Sequence, residues 1–204
     1  MISSEFLITS LIVVLIPGTG VVFTVSAGLV QGRKASIYAA LGCTLGIVPH
    51  LLATILGLAA LMHTSALAFE ILRYAGVTYL LYLAWMTWQD KSAFAVDETA
   101  PKQSATRLVV KAFLLNILNP KLTIFFLAFL PQFVSPQSAS PLTHMMLLSA
   151  VFMAMTFAIF VVYGLLANAF RRAVIESAKV QTWMRRSFSA AFAGLGLNLA
   201  LSER

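Results

Sequence analysis

Residues 115–133 read LNILNPKLTIFFLAFLPQF. The run is strongly apolar, yet Asn119-Pro120-Lys121 sits inside it, with Asn116 one helical turn earlier. Proline has no backbone donor and its ring crowds the preceding turn, so a helix passing through Pro120 is broken there. Lys121 adds a full charge. The meaning of such a step depends on the chain around it.

That chain has 204 residues, 60% hydrophobic and only 10% charged, with a mean hydropathy of +0.90. Soluble domains carry about 25% charged residues and need them on the surface left exposed. The composition therefore indicates an all-α integral membrane protein. The net charge of +7 would suggest nucleic acid in a soluble protein. In a membrane chain it reads as basic residues flanking spans on the cytoplasmic side, so no nucleic-acid partner is expected. Cys43 is the only cysteine. It excludes an intrachain disulfide and a Cys/His metal cluster and reads as a small buried hydrophobe. No metal or cofactor is expected. The opening MISSE carries Glu5 rather than Lys or Arg, and the apolar run after it continues past Pro17-Gly18. It reads as a retained span rather than a signal peptide.

A spanning helix needs about 20 apolar residues. Stretches free of charge place spans at about 6–32, 36–62, 67–89, 108–134, 142–170 and 187–201. The polar segment 90–107 reads as a loop between halves of about 1–90 and 108–204, within a single transporter domain, 1–204. With six spans, eleven of the fourteen basic residues fall on one side of the membrane. By the positive-inside bias that side is cytoplasmic, and both termini face away from it. The longest loop has no room for a soluble catalytic domain.

The stretch at 115–133 has an echo. The first span reads FLITSLIVVLIPGTGVVFTVSAGLV, with Pro17-Gly18-Thr19-Gly20 at its centre. Pro17 and Pro120 lie half a chain apart on spans that start from opposite sides of the membrane. This is the pattern of a 3+3 inverted-topology repeat with broken helices one and four. Broken ends free carbonyls and amides at membrane depth, tolerated only beside protein or a water-filled cavity. They can then bind a polar substrate. Pro17, Gly18, Thr19, Gly20, Asn116, Asn119, Pro120 and Lys121 are the candidate substrate-binding residues; simple proline kinks are the plainer reading. Lys121 lies 13 residues from Leu108, about 20 Å at 1.5 Å per residue, too deep to snorkel easily. Gly42, Gly46, His50, Thr54 and Gly57 share one helix face. His50 is either a hydrogen-bonded member of a packing seam or the proton-coupling candidate, since ionisable groups in spans are functional hypotheses by default. Gly-lined faces permit a homodimer without requiring one.

These residues resemble those of the lysine-exporter (LysE) family, in its homoserine/threonine-exporter (RhtB-like) branch. The resemblance covers nearly the whole chain. It is carried by Pro17-Gly18, LGCTLGIVPHLLATILGLAAL at 41–61, LRYAGVTYLLYLAWMTW at 72–88, FLLNILNPKLTIFFLAFLPQFV at 113–134 and AGLGLNLAL near the C-terminus. It implies a small exporter of amino acids or their derivatives in a bacterial inner membrane, driven by the proton gradient, and not an enzyme. The family's first span usually reads Pro-Gly-Pro followed by Asn or Asp; Thr19 and Gly20 stand at those last two positions here. A degenerate, non-transporting or partner-binding protein of the same fold is the alternative that departure leaves open. A thiol-redox carrier would need a cysteine pair, and an intramembrane enzyme would need a deep Asp pair or a Ser/His or His-metal set; neither is present in the sequence.

Overall fold

The structure is a computed structural model. It describes residues 2–15, 18–61, 71, 74, 77–78, 81–82, 84–86, 88–89, 102–119, 122, 126, 130–134, 140–170 and 177–201. The described residues form helices α1 (Ser4–Leu15), α2 (Thr19–Gln31), α3 (Arg33–Leu45), α4 (Val48–Leu61), α5 (Ala105–Ile117), α6 (Pro141–Leu165), α7 (Ala167–Phe170) and α8 (Ala178–Leu201), with a 3₁₀ turn at Leu130–Phe133. Most of the expected third span, most of the 90–107 loop, and Pro17, Pro120 and Lys121 lie outside the described residues.

The helices follow from the apolar runs, and their ends follow from local chemistry. Ser104 caps α5, accepting from the Arg107 N–H at 3.3 Å. Gly32 turns the chain from α2 into α3 at φ 87°, a conformation costly to any residue with a Cβ. Arg33–Gly57 and Pro141–Leu165 are long and apolar enough to cross a membrane, and α1 with α2 passes the same test as a bent pair whose axes differ by 55°. The outer faces agree. Leu7, Ile8 and Leu11 on α1 and Met146, Leu147 and Val162 on α6 are exposed. An apolar surface of this kind is not left to water; a bilayer covers it.

The last helix differs from the sequence expectation. The charged segment before residue 187 reads as a connection, but α8 starts at Ala178 and carries Lys179, Arg185 and Arg186. Lys and Arg are good helix formers, and Ser177 accepts from the Val180 N–H at 3.3 Å as an N-cap. The long basic side chains can reach the interface from helix positions. The Arg186 guanidinium lies 5.7 Å from the Trp88 ring, and Ser189 donates to the Ala84 carbonyl at 2.6 Å. These two contacts dock α8 on the described part of the third span.

At the centre, α3 packs against α5, α2 and α6, and α2 also meets α5 and α6. The packing is close because side chains are missing where backbones meet. A Cβ on Gly42 would strike the Val109 carbonyl and lie 2.7 Å from the Ala112 methyl; one on Gly46 would lie 2.7 Å from Asn116 Cβ. Both contacts step along α3 and α5 in the same direction, so the two helices run parallel. Arg33 and Lys34 therefore share an end of the bundle with Arg107 and Lys111, as the basic-residue bias expects. Across α2 and α6, a Cβ on Gly28 would lie 2.7 Å from the Gly164 carbonyl, and one on Gly164 would strike Ser36. Nothing lies within 4 Å of a Cβ on Gly57, so the seam read from the Gly42-to-Gly57 spacing stops short of its last member.

These contrasts predict unequal responses to added bulk. Gly42→Val forces α3 and α5 apart, at a cost of about 1–3 kcal/mol for overpacking. Gly57→Ala fills open space and removes a helix-weakening glycine. Thermal unfolding in detergent, followed by size-exclusion fluorescence, is expected to show a lower midpoint for Gly42→Val and an unchanged or higher one for Gly57→Ala. Equal midpoints would contradict the seam.

Candidate functional site

Two helix irregularities face each other in the core, and each is completed by a side chain from the other. In an α-helix the N–H of residue 120 would bond the carbonyl of Asn116. Proline has no such hydrogen. The Asn116 carbonyl instead receives His50 Nε2 at 3.0 Å, along with the Asn119 N–H, three residues on, at 3.0 Å. A carbonyl only accepts, so Nε2 carries the hydrogen. In the other direction, the chain slips at Gly46-Ile47 between α3 and α4. The Ile47 N–H turns to the Thr44 carbonyl at 3.1 Å, one residue short of its α-helical partner, Cys43. The Cys43 carbonyl is taken by Asn116 Nδ2 at 2.6 Å. Asn116 and His50 are both buried. Unpaired backbone groups cost several kcal/mol each in a lipid-filled core, so this exchange is what lets both irregularities exist at depth.

The first-span break lies beside them. Gly18 is the N-cap of α2 and has no side chain to cap it. The opening N–H groups of α2 have no intrahelical partner, as at any helix start, and carry partial positive charge. Leu15 ends α1, and its carbonyl accepts from the Tyr163 hydroxyl at 3.0 Å. The Gly20 carbonyl accepts from Thr24 at 2.8 Å and from the Cys43 thiol at 3.7 Å. A Cβ on Gly20 would lie 2.9 Å from Asn116 Oδ1. The polar side chain that the family resemblance places at position 20 would therefore collide with Asn116, which fills that space here.

Between the two breaks is a cavity of about 40 Å³, lined by Gly18, Gly20, Asn116, Asn119, Thr156 and apolar neighbours from α1, α2, the α3–α4 link and α6. It has room for a water or two and is too small for an amino acid. Beyond it an open cleft of about 700 Å³ follows α5 from Ser104, past Arg107 and Lys111, to Leu118, Asn119 and Thr19. Asn119 lines both spaces. The cleft is basic at its mouth, apolar along Val110, Leu114 and Leu118, and polar at its inner end. Lys111 is held partly by the Phe23 ring, 5.4 Å from its ammonium.

The candidate residues thus divide into three groups. Gly18, Gly20, Asn116 and Asn119 come together at the inner cavity, while Thr19 lies on the cleft wall. His50 stands one hydrogen bond behind that wall and joins the seam that α3 and α4 present to α5. Pro17, Pro120 and Lys121 lie outside the described residues. Sequence reasoning missed the third wall, Phe152, Thr156 and Phe160 on α6, and the basic pair at the cleft mouth. Their four-residue spacing is visible in the sequence, but α6 is so uniformly apolar that its inward face does not stand out. Among the described residues, no group of three His, Cys, Asp or Glu side chains could hold a metal ion.

Comparison with known proteins bears on the family. A family model described as LysE type translocator matches residues 11–203. An uncharacterized membrane protein of Vibrio cholerae is 31% identical over 97% of this chain and 96% of its own. The homoserine/homoserine lactone efflux protein of Salmonella typhimurium is 30% identical over 96% of this chain and 94% of its own. A leucine efflux protein of an Enterobacter species is 27% identical over 76% of each. No solved structure matches the chain. An all-helical chain with lipid-suited outer faces, matched almost end to end by that family, is a bacterial membrane protein belonging to the LysE type translocator family.

Proposed function

We propose that this protein is a secondary transporter that exports a small amino acid or derivative, such as homoserine or threonine, outward across the inner membrane, coupled to protons. It is a carrier and not an enzyme. One observation carries the reading: the N-terminal end of α2 and the C-terminal end of α5 meet at one small cavity in the core. Helix starts carry partial positive charge and helix ends partial negative charge. A zwitterion placed between them has its carboxylate on the α2 amides and its ammonium on the side-chain amide oxygens of Asn116 and Asn119. Lys121, which follows directly in sequence, is the second partner proposed for the carboxylate. Relatives named as homoserine/homoserine lactone and leucine efflux proteins support the substrate class.

The cleft along α5 supplies the approach from the cytoplasmic side. Arg107 and Lys111 attract the carboxylate at the mouth, and Asn119 and Thr19 receive the substrate at the inner end. The inner cavity must enlarge for transport, and a rocking of the two three-span halves, with both termini outside the cytoplasm, provides that motion. His50 is the proposed proton-coupling group. Its Nε2–H holds the Asn116 carbonyl, which ties it to the end of α5 that lines the cavity.

Efflux from reconstituted vesicles tests these assignments. The wild-type protein is expected to release homoserine or threonine faster than protein-free vesicles; no release of any amino acid would refute the proposed function. Lys121→Ala removes a charged hydrogen bond, worth about 1.5–3 kcal/mol, and is expected to slow release roughly 10–100-fold. Unchanged release would remove Lys121 from the site. His50→Gln keeps an N–H for the Asn116 carbonyl but cannot titrate. It is expected to retain release while losing the response to an imposed pH gradient, whereas a retained response would leave His50 a purely structural role.

A further inference from the structure

The inner cavity has a wall that neither the sequence pattern nor the family comparison assigns. Phe152, Thr156 and Phe160 follow one another at four-residue steps along one face of α6 and close the cavity opposite the two helix ends. The helix ends offer what every amino acid shares, a site for a carboxylate and an ammonium. Whatever distinguishes one amino acid from another must therefore be read by the remaining wall.

The two aromatic residues of that wall are held differently. Phe152 is 1% exposed and sits edge-to-face against Phe126, with ring centroids 4.9 Å apart and planes at 82°. It is locked into the core. Phe160 instead reaches across the cavity to α2, where its Cε2 lies 3.0 Å from the position of a Cβ on Gly20. Its ring fills the space next to the α2 N-terminus. Between these rings the Thr156 hydroxyl donates to the Phe152 carbonyl at 2.9 Å, leaving its oxygen lone pairs as acceptors.

We infer that Phe160 is a specificity-determining residue, whose ring limits the exported amino acids to those with short side chains. The inference rests on the proposed placement of substrate between α2 and α5. With the ring in place the space left is about 40 Å³, and any substrate side chain must displace it. A short side chain ending in a hydroxyl needs the least displacement and finds an acceptor in Thr156. An aromatic side chain competes with Phe160 for the same volume. Pocket walls of this kind discriminate by about 10–200-fold for one methylene of misfit.

The test is a selectivity ratio, which loss of stability alone does not shift. Vesicles containing equal amounts of wild-type, Phe160→Ala or Phe160→Leu protein are loaded with homoserine or phenylalanine, and initial release is measured. Wild-type protein is expected to release homoserine at least roughly tenfold faster than phenylalanine. Phe160→Ala is expected to narrow that gap by about tenfold or more, with Phe160→Leu in between. If Phe160→Ala does not fold, the Phe160→Leu ratio decides. An unmoved ratio in variants that still release homoserine overturns the role of Phe160 while leaving the exporter assignment standing. Equal release of both by the wild type overturns it too. A wild-type protein that releases no amino acid refutes the exporter assignment and this inference with it.

Discussion

The structure depends on one constraint: a peptide carbonyl freed inside a bilayer must find a donor within the protein. Pro120 withholds the hydrogen that the Asn116 carbonyl would use, and the slip at Gly46-Ile47 withholds the one for Cys43. Lipid offers no donor at that depth. The two deficits are met by exchange, His50 serving one helix and Asn116 the other. The exchange fixes where α3–α4 and α5 lie along each other. It also explains their glycines, since side chains at positions 42 and 46 would hold the two helices too far apart for either bond to form.

That register brings the first span into play. Gly20 approaches Asn116 closely enough that no side chain fits between them, and the start of α2 comes to rest beside the end of α5. Opposite partial charges then face a common space, and the described residues of its wall include no acidic side chain. That pairing of partial charges is what the proposed zwitterionic substrate would need. The apolar cleft with a basic rim meets that cavity at Asn119.

How much of this the sequence discloses follows the range of the chemistry involved. Proline acts on its own turn, so Pro17 and Pro120 mark the breaks directly. The apolar runs and the one-sided basic residues mark the membrane class for the same reason. Gly42 and Gly46 announce a seam by their spacing, although Gly57, read as part of it, takes no share. The hydrogen bond from Asn116 to Cys43 joins positions 73 apart and has no local signature. Phe152, Thr156 and Phe160 are hidden because α6 is apolar on every side, facing lipid on one and the core on the other. The start of α8 was obscured because Lys and Arg, counted as span breakers, are also good helix formers. The expectations that fall on Pro17, Pro120, Lys121 and most of the third span lie outside the described residues.

The glycine ridge of α3 bears on motion as well as on packing. Where α3 meets α5, and where α2 meets α6 near Ser36, the surfaces in contact are backbone and small side chains rather than interlocked knobs. Interdigitated side chains resist sliding because each must climb over its neighbour. A smooth ridge has few such steps, so sliding of α3 along α5 is checked by the hydrogen bonds of His50 and Asn116 rather than by interlocked side chains. The same absence of side chains that lets the helices approach closely thus leaves their register to a pair of polar contacts.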